Sequence, residues 1–277
     1  MKYTVLTLFP DILDAWFSAS IMARAVKAGL VSYHLVNIRD FALDRHRSCD
    51  DAPYGGGAGM LMLPEPLGRA LEAAGAKKRK PPKDGSPKDG SPKDGVPKDG
   101  VPKDGPRVVY LTPSGRLFNQ DLAAELALEE EIILVCGRYE GIDQRIIDRY
   151  VDDEISVGDY VLSSGEAAAL AVIDATYRLL AAVISPASLE EESFDGYLLE
   201  YPQYTRPEVY DTLEVPGVLL SGHHEHIRRW RRRKQVEKTL AVRPDLIRLG
   251  EEHNRYDTET ARIIAELRGK NERDTGD

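Results

Sequence analysis

The sequence predicts an α/β fold with a mostly parallel sheet, followed by a small helical domain, and three observations lead there. The chain opens strand–helix–strand, the start of a parallel sheet. Ile132-Ile133-Leu134-Val135-Cys136 is a short unbroken apolar run, which suits a strand buried on both faces. That strand and the next, around Ile155 to Val157, each stop at a glycine-cornered loop that leads into a helical pattern. Loops of this kind build ligand crevices at the carboxyl ends of parallel strands, although ordinary turns look the same in pattern alone.

In order, Tyr3 to Phe9 alternates and carries β-formers. Pro10 and Asp11 suit the first turn of a helix. Ile12, Leu13, Trp16, Phe17, Ile21 and Ala25 then hold helical spacing until Gly29. Val31 to Ile38 reads as the second strand. Arg39 to Met60 is a long polar loop with charges of alternating sign, ending in Tyr54-Gly55-Gly56-Gly57-Ala58-Gly59-Met60. No Gly-Lys-Ser/Thr follows, and Met60 breaks the dinucleotide spacing, so neither phosphate-loop motif fits. What remains is either a structural loop or one able to lie close to a flat or charged partner.

Pro64 to Gly75 is a short amphipathic helix. KDG then recurs five times at a period of five, from Lys83 to Lys103. Each unit is charge-neutral and carries Pro and Gly, so a disordered, turn-rich linker within an insertion at 77–106 is expected. Val108 to Leu111 is a strand leading into Thr112-Pro113-Ser114-Gly115, and Asn119 is placed to cap the helix that follows. Three loops, 112–116, 137–143 and 157–165, thus share one position relative to their strands.

An apolar helix is expected from Ala167 to Ala182. Ser185 to Glu200 is acidic and aperiodic and reads as an interdomain linker. From Arg206 onward the pattern is helical, with helices near His223 to Leu240 and Asp257 to Leu267. Six of the seven residues from Arg228 to Lys234 are basic, which favours phosphate contact over a merely solvated helix. His223, His224 and His226 invite a metal reading, but neighbours on a helix point about 100° apart and no matching ligand set accompanies them.

The net charge of −9 over 277 residues excludes a generally basic nucleic-acid binder, so any RNA contact is local. Two cysteines in unrelated contexts and no secretory signal pattern lead us to expect a reduced, cytoplasmic protein. No stretch reaches the roughly 18 apolar residues of a membrane helix, so no membrane partner is expected.

GRYEGID from Gly137 and SVGDYVLSSGE from Ser156 resemble the cofactor-binding core of the bacterial tRNA (guanine-N1)-methyltransferases of TrmD type, in the knotted SPOUT superfamily. LFP from Leu8, RDFALDRHRSCDDAPYGGGAGM from Arg39, YLTPSGR from Tyr110, YTRPEV from Tyr204 and EVPGVLLSGHHEHIRRWR from Glu214 extend the resemblance in order. It implies a deep trefoil knot around Glu131 to Gly165 within a domain of residues 1–184. A linker at 185–201 and a helical tRNA-binding domain at 202–277 follow. It also implies a homodimer whose subunits share the active site.

The implied reaction moves a methyl group from S-adenosylmethionine to N1 of the guanosine at tRNA position 37, 3′ of the anticodon. The implied cofactor residues are Thr112, Pro113, Gly115, Gly137, Tyr139, Glu140, Val157, Gly158, Asp159, Tyr160, Val161, Leu162 and Gly165. Glu192 in EEESF falls on the family's base and Arg178 in DATYR on its electrostatic partner, with Glu140 also in the catalytic set. Arg45, His46, Asp50, Gly55, Gly56, Gly57 and Arg206 join Arg228, Arg229, Arg232 and Arg233 as expected RNA contacts. A magnesium dependence is implied too, but no ligand set stands out. Two features depart from the family pattern. Ser164 stands where a glycine is common, which requires a negative φ, and Glu192 replaces an aspartate. Two rival readings are a knotted methyltransferase acting on another RNA nucleotide and a non-catalytic RNA-binding protein of the same fold.

Overall fold

A computed structural model of the chain describes residues 1–79, 105–183 and 193–274. The KDG repeats, most of the expected linker and Glu192 lie outside them. Two compact units emerge, Met1–Ile184 and Ser185–Asp277.

The first unit is built on five parallel strands: β1 (Lys2–Thr7), β2 (Ser32–Asn37), β5 (Arg107–Leu117), β6 (Glu131–Cys136) and β7 (Asp153–Ser156). Their order in the sheet is β2-β1-β6-β5-β7. The apolar run forms the central strand, and Ile132 to Cys136 are essentially without solvent exposure. Alternate residues feed two cores. Tyr3, Val5, Ile132 and Leu134 pack beneath helices α1 (Pro10–Phe17), α2 (Ser20–Lys27), α4 (Gln120–Ala127) and α6 (Gly165–Tyr177). Leu6, Val108, Ile133 and Val135 face α3 (Pro64–Ala73) and α5 (Gln144–Tyr150). Burial on both faces is why the strand reads as continuous apolar sequence and not as alternation.

Several expectations change in detail. The first helix is two, because the backbone turns left-handed at Ser20 (φ 52°). The long polar loop contains a small hairpin, β3 (Asp50–Asp51) against β4 (Leu61–Met62), whose tip carries the glycines. Thr112 to Gly115 does not leave its strand. It bulges out, and Arg116 and Leu117 rejoin β7, so β5 continues past the expected corner. Helix α6 ends at Tyr177, short of Ala182. Asn119 caps α4 as expected, accepting from the Leu122 N–H at 2.9 Å.

The second unit holds the helices His224–Val242, Pro244–Glu252 and Thr258–Asp274 around Val236, Ile247, Ile263 and Ile264. The middle helix escaped the sequence reading, although Pro244 at its first turn both stops the preceding helix and starts this one. A two-residue hairpin, Val209–Tyr210 against Leu213–Glu214, interrupts the expected all-helical stretch. From Ser193 the expected linker packs as part of this unit. Leu198 is 1% exposed in its core, and the Leu199 N–H donates to Thr239 Oγ1 at 2.9 Å.

Candidate active site

The sheet delivers β1, β5, β6 and β7 to a common edge where their carboxyl ends meet the glycine loops. The two loops after β6 and β7 hold each other directly. Gly165 N–H donates to Gly137 O at 2.9 Å, and Arg138 pairs with Ser164 as an antiparallel bridge. Glycine is needed here because the backbones press together. A Cβ on Gly165 would stand 2.7 Å from Cys136 Cα, and one on Gly115 only 2.4 Å from the Glu154 carbonyl carbon. Gly137 likewise leaves room for the Tyr110 ring. Expected as openings for a ligand, these glycines act first as close-packing points that hold three segments at one edge. Gly158 differs, since its φ of +147° is one that other residues rarely adopt. Ser164 is extended (φ −166°), so its Cβ carries no strain and that departure from the family pattern is accommodated.

The hairpin bearing the glycine-rich tip docks onto the first loop. Met62 N–H donates to Gly141 O at 3.0 Å, and Glu140 N–H to Met60 O at 3.0 Å. Gly59 lies so close to Glu140 that a Cβ would collide with its side chain. Tyr139, itself at a positive φ of 58°, lies by Asp50. Burial and that carboxylate raise the phenol's pKa, while Arg39 and Arg138 pull it down. The structure therefore brings Asp50, Gly59, Tyr139 and Glu140 together, joining two sequence regions about eighty residues apart. Gly55, Gly56 and Gly57 all have positive φ at the hairpin tip, where Tyr54 is fully exposed. Arg45 is exposed nearby in sequence. His46 donates its backbone N–H to Asp44, whose carboxyl is held below its ordinary value chiefly by the Ser48 backbone N–H. Thr112 and Ser114 share a hydroxyl contact of 3.0 Å in the β5 bulge, beside Pro113. In the second loop Tyr160 and Val161 are exposed at 56% and 87%, flanked by Val157, Asp159 and Leu162.

Arg178 does not join this group within one chain. Helix α6 begins against Cys136, at the carboxyl end of β6, and runs back along the sheet. Its last turn meets the start of β1, where the Tyr3 hydroxyl lies 2.7 Å from Thr176 Oγ1. At 1.5 Å per residue, Arg178 stands about 20 Å from Gly165, at the opposite edge of the sheet. Glu140 and Arg178, both in the expected catalytic set, thus lie at opposite edges of the sheet within one chain.

In the helical unit, three of the four expected phosphate-binding arginines already face carboxylates. Arg228 pairs with Glu225 and Glu259, Arg229 with the same two, and Arg233 with Glu237 and Glu266. Arg232 and Arg228 together help hold the Asp257 carboxyl low, after the Thr260 hydrogen bonds. Composition alone counts the cations and misses these anions; Glu225 and Glu237 share the arginines' own helix, while Glu259 and Glu266 come from another. Arg206 is exposed.

Sequence reasoning overlooked Thr7, Phe9, Arg138 and Glu166, which line the base of the two loops. Glu166 is 2% exposed, accepts a short hydrogen bond from the Thr7 hydroxyl, and has no partner on its other oxygen among the described residues. Its place ahead of an apolar helix was the available signal, since a carboxylate suits a first helical turn. Among the described residues no group of three or more His, Cys, Asp or Glu stands close enough to hold a metal, and no helix is long and apolar enough to cross a membrane.

A family model described as tRNA (guanine-1)-methyltransferase TrmD matches residues 1–82 and 95–249. The unmatched stretch between them falls within the KDG repeats. The tRNA (guanine-N(1)-)-methyltransferase of Treponema denticola is 56% identical over 267 residues, covering 96% of this chain and 99% of that protein. The protein of the same name from Treponema pallidum is 52% identical over 267 residues, 96% of each chain. That of Borrelia hermsii is 50% identical over 248 residues, 89% of this chain and 92% of its own.

Proposed function

This chain belongs to the tRNA (guanine-1)-methyltransferase family, and from that premise we propose that it transfers a methyl group from S-adenosylmethionine to N1 of the guanosine at position 37 of tRNA. The observation that carries the site is the convergence of the β5 bulge and the two clasped glycine loops at one sheet edge. Such an edge is where parallel α/β sheets take their ligands. The cradle suits the cofactor, because its glycines hold three backbone segments at one edge with the exposed Tyr139, Tyr160 and Val161 beside them, a surface fit for a flat, partly apolar molecule. Thr112, Pro113, Gly115, Gly137, Tyr139, Glu140, Val157 to Leu162 and Gly165 would hold it. When bound, S-adenosylmethionine supplies a methyl group already activated by its sulfonium charge.

The chain's own residues handle the guanine. N1 of neutral guanine carries a proton and offers no free lone pair, so a base must remove that proton. We assign this to Glu192, with the N1 proton passing to its carboxylate. Arg178 stabilises the negative charge that then develops on O6. The docked hairpin around Asp50 and Gly59, with the tip Gly55 to Gly57, is proposed to hold the base beside the cofactor, and Arg45 and His46 to contact neighbouring nucleotides. No magnesium ligands are assigned.

Because Arg178 and the cofactor loops lie at opposite ends of α6, a complete site needs the Arg178 of a second copy. The reading is therefore of a homodimer with two composite sites. The reading includes a deep trefoil knot, supported by the close packing of Gly165 on Cys136 where the loops after β6 and β7 meet. The decisive assay incubates the purified protein with unmodified tRNA transcript and labelled S-adenosylmethionine, then maps the product by nuclease digestion and mass spectrometry. N1-methylguanosine at position 37, abolished by a G37→A transcript, is the expected result. Methylation elsewhere would favour a different target nucleotide, and no cofactor binding by calorimetry would favour a non-catalytic RNA binder.

A further inference from the structure

The arginines that composition singles out are already engaged with carboxylates: Arg228, Arg229 and Arg233 each face two. Arg138 is the contrast. It sits in the first glycine loop between Gly137 and Tyr139, and its guanidinium makes no ion pair or hydrogen bond among the described residues. It lies over the Phe9 ring, 4.4 Å from the centroid.

That position is built from below. The Phe9 backbone N–H donates to Thr7 Oγ1 at 2.9 Å, and the Thr7 hydroxyl donates to the buried Glu166. The Arg138 backbone is clasped to Ser164 of the second loop. The ring is therefore fixed to the sheet through Thr7, and the cation is fixed between the ring and the loop backbone. A guanidinium lying over an aromatic ring keeps its N–H edges pointing outward in its own plane, ready for a planar or tetrahedral oxyanion. Holding it there in advance spares the entropy of ordering a long side chain on binding. The groups around it are the exposed Tyr139, the Asp50 carboxylate and the Arg39 guanidinium, the two arginines acting together on the Tyr139 phenol.

We propose that Arg138, on its Phe9 platform, takes a backbone phosphate of the tRNA beside the nucleotide being methylated. This rests on the tRNA methyltransferase reading above. Arg138 is then a substrate-positioning contact inside the α/β unit, separate from the basic helix of the second unit.

The test measures tRNA binding by the full-length protein over a range of salt, with S-adenosylmethionine affinity measured in parallel by calorimetry. Wild-type protein that binds tRNA with a salt-dependent Kd and methylates it keeps the functional reading in place, so the variants then judge Arg138 alone. Arg138→Gln should weaken tRNA binding several-fold and flatten the log Kd against log salt slope by about 0.7 to 0.9, the worth of one phosphate contact. Its cofactor affinity should be unchanged. Arg138→Lys should keep most of the slope while losing part of the affinity, because a point charge replaces a fork. Phe9→Leu should lose affinity with the slope intact, since the charge stays but its platform does not. An unchanged slope in Arg138→Gln overturns the proposal. So does a loss of cofactor affinity with tRNA binding intact, which would make the anion the cofactor's own carboxylate.

Discussion

If each site draws its cofactor loops from one subunit and Arg178 from the other, two defective chains should repair each other. The first variant is Arg178→Ala, which removes a cation at the far end of α6. The second is Gly158→Ala. Gly158 has φ +147°, and an added Cβ would meet only the ring of the half-exposed Tyr160, so the damage stays in the second loop. Forcing an alanine into that backbone region costs on the order of 1–3 kcal/mol. At about 1.4 kcal/mol per decade, cofactor affinity should fall roughly 10- to 100-fold. Each homodimer should then be nearly inactive when assayed below the wild-type cofactor Kd. In a heterodimer carrying one chain of each, isolated by two affinity tags, one composite site holds both defects and the other holds none. Activity should return to about half of wild type. The separation of about 20 Å between Gly165 and Arg178 is what makes this outcome necessary. A heterodimer no more active than its parents would place both groups in one chain's site and refute the shared-site reasoning.

Other outcomes follow from the same geometry. Glu192→Gln should leave tRNA and cofactor affinities intact while cutting single-turnover methylation by about 10²–10⁴, with partial rescue at high pH as guanine ionises unaided; near-normal turnover would move the base elsewhere, Asp195 being the nearest rival. If Arg228 and Arg229 contact phosphates, Glu259→Gln should tighten tRNA binding, because it removes a carboxylate that competes for both; unchanged affinity would return this helix to a solvated role. Asp257 accepts the Thr260 N–H at 2.7 Å, and this bond lowers its folded-state pKa. Its contribution is therefore present above the ordinary aspartate pKa and is lost as pH falls through the depressed value. Asp257→Ala should destabilise the helical unit by about 1 kcal/mol at neutral pH, and the gap to wild type in denaturant melts should close in acid.

The central strand, the strand–helix–strand opening, the Asn119 cap and the glycine corners after β6 and β7 were all legible in the chain. Each is a local matter of side-chain period, capping chemistry or a residue's own backbone freedom. The motif spacings carried the family as well, because they hold over most of the sequence. What they could not carry is anything decided by groups far apart in sequence. The Thr112–Gly115 segment reads as a corner, yet it is a bulge because β7 accepts the strand again at Arg116. Leu198 reads as part of a polar linker and is a core residue, because Val236, Ile247, Ile263 and Ile264 provide a place for it. The basic run reads as open positive charge, yet Glu259 and Glu266 arrive from another helix to face it. Arg178 lies only thirteen residues from Gly165 in the chain, but a rigid helix carries it to the other edge of the sheet. Sequence determined which segments form and which chemistry they bear. Tertiary structure decided which of those groups meet, because burial, ion pairing and reach depend on distances that the order of residues does not contain.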